Sequence, residues 1–323
     1  MTARVHFLNV GWGDAHIIEL PSGALTLIDG GDGNPSDQED SPDRWMDRRG
    51  FETLEWMILT HLHEDHLHGL LDVAKSKQVR HAVLPYRPFA PLEMETPETN
   101  TETEGSEGQP LASRTIRLIA DYLLLIRMLQ EKGTKIFWRD EWAETGHVVW
   151  AREGYKLLHL YPTPADALPA RNALQRLTAS EELDDRERET WLCRFFELSN
   201  HDSSVYRLIA EHHPQQSILF GADMPEAEWK VLSQRTDLRS SVWKAPHHGM
   251  KDAMTKGTLA KVCPEHVIIP ISRDRSLSFF PAWEKICALT GSSFHPTGAY
   301  PNGMSLQMGG AFQVHIGHNP KEK

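Results

Sequence analysis

The chain has 323 residues, 40% of them hydrophobic and ten of them Trp, which is enough for a large buried core and excludes global disorder. A formal net charge of −11 argues against broad binding to duplex nucleic acid, which needs Lys and Arg to neutralise phosphates. It leaves room for a phosphorylated substrate, because bound divalent metals can themselves supply positive charge.

In chain order, "RVHFLNV", "HIIEL" and "ALTLIDGG" read as strands, with "PSG" a turn between the second and third. Residues 30–50 are rich in Gly, Asp, Ser and Pro and read as loop. "EWMILT" is a short apolar strand, "HLHGLLDVAKS" has helical spacing, and "VRHAVLP" returns to strand. Residues 87–112 are acidic and Pro-rich, an expected disordered excursion. "SRTIRLIADYLLLIRMLQEKG" is the clearest helix, with Gly133 as its C-terminal stop. Residues 164–195 are charged and helical in composition, an insertion before the strand pair "SVYRLIAE" and "QSILFGAD". A helix is expected over 225–234, then strand "SSVWKAP", helix 252–262, strand "HVIIPIS", helix 281–289 and a closing hairpin. Two alternations of strands and helices suit an α/β protein with two facing sheets and outer helices, formed by a single domain over 1–323.

Three cysteines, Cys193, Cys263 and Cys287, are too few and too scattered for a disulfide framework or a Cys-rich zinc module. The opening "MTARVHFLNVGWGD" has no basic-then-apolar signal pattern, and no run of about 18 apolar residues occurs. These features set the expectation of a cytoplasmic protein that engages no membrane.

The chemistry concentrates in "ILTHLHEDHLHGL". Side chains two apart after a strand share a face, so His61 and His63 can serve one metal. Asp65 and His66, at the start of the following helix, can serve a second. Neutral imidazole suits zinc and other first-row metals, and a carboxylate adds charge.

H-x-H-x-D-H at a strand end resembles the signature of the metallo-β-lactamase superfamily. "FLNVGWGDAHIIELPSGALTLIDGG" is similar to the opening of the hydrolase domain of ComEC-type DNA-uptake proteins, which favours D-V-G-Q-G-D followed by L-I-D-G-G. "ILFGADM" and "WKAPHHGMKDA" resemble that family's strand-end Gly-Asp and its P-H-H-G-S. The resemblance implies an αββα sandwich of two facing mixed sheets with outer helices. It implies two divalent metal ions, Zn or Mn, held by His61, His63, Asp65, His66, Asp223 and His247, with Asp223 bridging. Asp29 is then expected to orient a ligand imidazole, and His248 to contact substrate or move a proton, with the choice of ligand between His247 and His248 left open. The remaining ligand of the first metal falls among Asn200, His201 and Asp202, with no choice between them.

Departures from the family pattern are Asn9 for aspartate, Trp12 for glutamine, His16 and Met250 for small residues, and His68 for glycine. "RSLSFFPAWEKI" occupies the place of a late His-Pro-His segment, leaving His295 as an unaligned candidate read as a surface-loop residue.

The function so implied is hydrolysis by a metal-bridging hydroxide, with Asp65 or His248 donating a proton to the leaving group. The substrate expected first is a phosphodiester in nucleic acid, with Lys244 and Lys251 at the surface steering it in. Alternatives are a small ester, lactone or phosphoester, or a metal-binding regulatory subunit without catalysis. The acidic excursion and the helix after it offer a face for an unidentified protein partner, though a plain solvated insertion beside a core helix accounts for them as well.

Overall fold

A computed structural model describes residues 2–89, 110–179, 183–300, 303–308 and 313–316. Most of the acidic 87–112 stretch therefore lies outside the described residues. The first half of the chain runs β1 (Arg4–Phe7), β2 (His16–Glu19), β3 (Leu25–Ile28), α1 (Pro42–Arg49), β4 (Thr53–Ile58), α2 (Glu64–Ser76), β5 (Gln78–Leu84), α3 (Leu111–Glu131) and β6 (Lys135–Trp138). The second half runs β7 (His147–Arg152), β8 (Tyr155–Tyr161), α4 (Pro169–Ala179), α5 (Asp185–Leu198), β9 (Val205–Ala210), β10 (His213–Phe220), α6 (Glu226–Leu232) and β11 (Val242–Lys244). It continues through α7 (Lys256–Val262), β12 (His266–Ile269), α8 (Arg273–Cys287), β13 (Ser293–Pro296), β14 (Met304–Gln307) and β15 (Gln313–Ile316).

One sheet has eight strands in the order β15-β14-β1-β2-β3-β4-β5-β6, and the other has seven in the order β13-β12-β11-β10-β9-β8-β7. Both are mixed: β3 to β6 and β10 to β13 pair in parallel, and the remaining neighbours are antiparallel. The αββα layering follows from strict alternation along strands that are apolar on both faces. Ile18, Ile28, Ile58, Phe220, Val242 and Ile268 turn inward and meet in one cluster between the sheets. Their neighbours Ile17, Leu27 and Met57 turn outward against Trp45, Leu67, Leu70 and Tyr122 of α1, α2 and α3. On the far side, Leu219, Trp243, Val267 and Ile269 turn outward against Trp229, Leu259 and Trp283 of α6, α7 and α8.

Two expectations are corrected in detail, and a third is filled in. The 30–50 stretch is not all loop: Pro42 at the first turn and Gly50 in left-handed geometry bound α1. The last helix starts at Arg273 rather than 281 and carries Pro281 inside it. Leu277 and Pro281 both face solvent, so water can satisfy the carbonyl that the proline leaves without a donor. The charged 164–195 stretch forms α4 and most of α5, whose Leu192 and Phe195 complete the core beneath α3.

Two glycines set the floor of the site. A Cβ on Gly69 would lie 1.9 Å from the Gly30 carbonyl oxygen, so α2 meets the loop after β3 with no room for a side chain. Gly30 donates its N–H to His66 O at 2.8 Å, fixing the first turn of α2 against the end of β3.

Candidate metal centre

The chemistry-bearing side chains gather at the carboxyl ends of the parallel strands: Asp29 after β3, His61 after β4, Asp223 after β10 and His248 after β11. This is where open α/β sheets place their ligands. Single ligand atoms from Asp65, His66, Asp223 and His248 all lie within 4.8 Å of one another. Asp223 Oδ2 is 3.3 Å from both His66 Nε2 and His248 Nε2, and Asp65 Oδ2 is 3.2 Å from His248 Nε2. The His61 and His66 ring centroids are 4.2 Å apart.

The hydrogen bonds on the outer side of each imidazole fix its tautomer. Thr60 Oγ1 gives its proton to Asp29 at 2.8 Å, so it accepts from His61 Nδ1 at 3.1 Å. His63 Nε2 donates to Phe196 O at 2.9 Å, His66 Nδ1 to Asp29 Oδ2 at 2.9 Å, and His248 Nδ1 to Pro270 O at 2.9 Å. Each inner nitrogen is thereby left as a lone pair. His61 Nε2 faces His63 Nδ1 at 3.3 Å, while His66 Nε2 and His248 Nε2 face the carboxylate oxygens. Lone pairs turned on one another and on carboxylates repel unless a cation lies among them. A divalent metal fits this donor set, and the outer partners are of the kind that orient imidazole ligands.

With no metal, protons must take that role. Burial opposes the charge on His248, but Asp223 and Asp65 beside it push the imidazole up to about 10. His66 is likewise raised well above its usual range by Asp223, Asp65 and Asp29 against the cost of burial. Burial raises Asp223, yet His248 and His66 together hold it well below the usual carboxylate range. His61 and His63 are lowered mainly by burial and stay neutral.

The two adjacent histidines, between which the sequence made no firm choice, have different surroundings. His247 and His248 have φ of 47° and 49°, a left-handed pair that costs on the order of 1 kcal/mol per residue and sends the two side chains apart. His248 enters the cluster. His247, half-buried, instead pairs with Asp252 at 2.8 Å and has Asn200 Nδ2 3.4 Å from its Nε2.

Of the three candidates near residue 200, Asp202 is taken up by Tyr86 and the Ala170 and Arg171 N–H groups. His201 pairs with Glu228 at 2.8 Å. Asn200 Oδ1 is buried with no partner among the described residues. His295 lies in β13 rather than in a loop and contacts His266 at 3.2 Å, outside the cluster. His68 pairs with Asp121 at 3.2 Å.

Lys244 is corrected more sharply. It is fully buried, forms an ion pair with Asp14, donates to Ala222 O at 2.8 Å and stands 3.6 Å from Asp223 Oδ1. Sequence reasoning missed Asp14, although it is the aspartate of the quoted "GWGD" block. Asp14 Oδ1 lies 3.5 Å from His248 Nδ1, so one carboxylate ties the buried lysine to the cluster. Burial raises Asp14, but Lys244, His16 and His66 together more than offset that and hold the carboxyl well below its usual range.

Among the described residues no helix is long and apolar enough to cross a membrane. Residues 10–112 match the family model described as the metallo-beta-lactamase superfamily. No curated protein matches the chain. Igni18, a metallo hydrolase of the archaeon Ignicoccus hospitalis KIN4/I, superposes with a TM-score of 0.50 at 12% identity, over 96% of this chain and 99% of that one. The metallo-beta-lactamase fold protein YhfI from Bacillus subtilis gives 0.48 at 7% identity, over 94% and 99%. A diphosphatase of the PhnP family gives 0.45 at 12% identity, over 96% and 100%. The chain has the metallo-β-lactamase fold, and the segment that carries its histidine motif matches the metallo-β-lactamase superfamily model.

Proposed function

We propose that this protein is a hydrolase whose two divalent metal ions, Zn or Mn, are held by His61, His63, Asp65, His66, Asp223 and His248. His248 thus replaces His247 in the ligand set, and Asn200 Oδ1 completes the first site. The observation that carries this reading is the set of inner-facing imidazole nitrogens, whose outer N–H groups are all committed elsewhere. Bound metals would supply Lewis acidity and an activated water at neutral pH.

The chain's own residues do the rest. Asp29 takes N–H and O–H donors from Thr60 while accepting from His66, so one buried carboxylate orients both ends of the histidine motif. Asp65 keeps 15% of its side chain exposed, whereas His248 has none. Asp65, held as a carboxylate by His66 and His248, is therefore the group placed to take the proton released by the attacking water and pass it on to the leaving oxygen. Trp12, half-buried with its ring centroid 4.5 Å from that of His248, covers one side and limits water.

The substrate we propose is a phosphodiester in nucleic acid, at a single strand or an end, supported by the ordered ComEC-type blocks. The test is a panel of single-stranded DNA, RNA, a cyclic dinucleotide and a lactone, with Zn or Mn added. Wild type should cleave a nucleic-acid substrate, and Asp223→Asn should lower the rate by at least about 10³-fold, as expected when a charge-stabilising group is removed. Opening of the lactone with every nucleic acid intact would replace the phosphodiester reading with the small-ester one.

A further inference from the structure

Two departures from the family pattern meet in space. Trp12 stands where the ComEC-type opening has glutamine, and Arg275 begins the segment that stands in for the late His-Pro-His. The Arg275 guanidinium carbon lies 4.3 Å from the Trp12 ring centroid, and the same ring lies 4.5 Å from that of His248. One indole thus separates an exposed cation on the first turn of α8 from the candidate metal centre.

Arg275 has no carboxylate in ion-pair distance among the described residues. Arg87, Arg114 and Arg235 each bind a carboxylate within 3 Å, whereas Arg275, like Arg49 and Arg194, sits over an indole without one among the described residues. What holds Arg275 is stacking alone, which leaves the donor fork of the guanidinium free. The position is also fixed from below. His248 donates to Pro270 O just before α8, and Trp283 of α8 donates to Gly249 O at 2.9 Å just after His248. The first turn of α8 and the histidine loop therefore move as one unit.

The rim needs such a cation. Asp14, Asp29, Asp65 and Asp223 surround the centre, and Lys244, the nearest lysine, is buried and committed to Asp14. A planar guanidinium pairs with a phosphate through two parallel hydrogen bonds, and the adjoining indole offers a face for a base.

We infer that Arg275, held by Trp12, binds a second phosphate of the substrate, next to the scissile one, and so selects strands that carry a phosphate at the neighbouring position. This rests on the hydrolytic reading of the same centre but is read out by binding. The ligands are pdTpdT and dTpdT, each with a phosphorothioate linkage to slow cleavage, titrated calorimetrically into the full chain with Zn or Mn added. Wild type should bind pdTpdT about 10-fold more tightly than dTpdT, the value of roughly one charge-assisted phosphate contact. Arg275→Gln should bind the two alike with an unchanged melting temperature, and Arg275→Lys should recover part of the preference. Equal binding by wild type, a preference that survives in Arg275→Gln, or no binding of either ligand would each overturn the inference. A preference that depends on Arg275 without cleavage of the ordinary phosphodiester would uphold it and remove only the phosphodiesterase reading.

Discussion

Lys244 is a buried ammonium, one of three buried Lys or Arg side chains among the described residues with Lys77 and Arg139, and the structure supplies its reason. Its partners are a carboxylate, a backbone carbonyl and, at 3.6 Å, the Asp223 oxygen that faces away from His66. Breaking a buried pair leaves one charge uncompensated, so Lys244→Met should destabilise the fold by about 3–5 kcal/mol. Adding Asp14→Leu should restore a large part of that loss, because neither charge is then orphaned. Denaturant titration of the single and double variants checks this. Additive losses would show that the two residues do not act as a pair. The sequence could not reveal this pair, since Lys244 reads as a surface lysine and Asp14, after glycine, carries no signal of its own. Only the family-ordered blocks hinted that "GWGD" and "WKAPHH" belong to one place.

At the scale of elements, the position of α2 decides whether His66 meets Asp29. The contact depends on Gly69, where a methyl group would overlap the Gly30 carbonyl oxygen at 1.9 Å. Gly69→Ala should therefore push α2 off the loop after β3 rather than stiffen the helix. A stability loss of roughly 1–3 kcal/mol is expected from overpacking, with weaker metal uptake. A gain in stability with unchanged metal affinity would mean the approach is looser than described.

Legibility in the sequence also differed by element. Strands apolar on both faces and the helix over Leu111–Glu131 were plain, because burial enforces the pattern. α1 was hidden by its polar composition even though Ser41-Pro42 and Gly50 are sound boundary signals. Pro281 drew the start of α8 eight residues too late, and so hid Arg275 as a helical residue. β6, β7 and β8 went unread between a helix and an insertion, and with them His159. For the site, the motif delivered His61, His63, Asp65 and His66 as a group. The left-handed turn at His247–His248, which separates two adjacent side chains, has no signature that residue spacing can express.

The whole molecule joins its sheets through an inner layer that also encloses His159. The ring lies 4.8 Å from Trp142 and 5.3 Å from Tyr206, and burial, aided by Arg139, lowers its pKa well below the usual value. The folded state thus holds His159 neutral, while the unfolded chain takes up a proton near pH 6.5. The stability tied to this residue is complete above about pH 6.5 and is lost as pH falls below it, by up to about 1.4 kcal/mol per pH unit. His159→Phe should flatten the pH dependence of unfolding between pH 7 and 5 by up to that slope. An unchanged slope would show that His159 is not the residue responsible.

The same two sheets bring the ends of β3, β4, β10 and β11 together, so the proposed metal uptake would depend on the assembled fold. Elemental analysis of the protein after loading with Zn or Mn and removal of free metal tests the central claim most directly. Wild type should retain two equivalents, His247→Ala should retain nearly as much, and His248→Ala should lose at least one. Wild type that retains no metal, or His248→Ala that retains as much as wild type, would contradict the proposed centre.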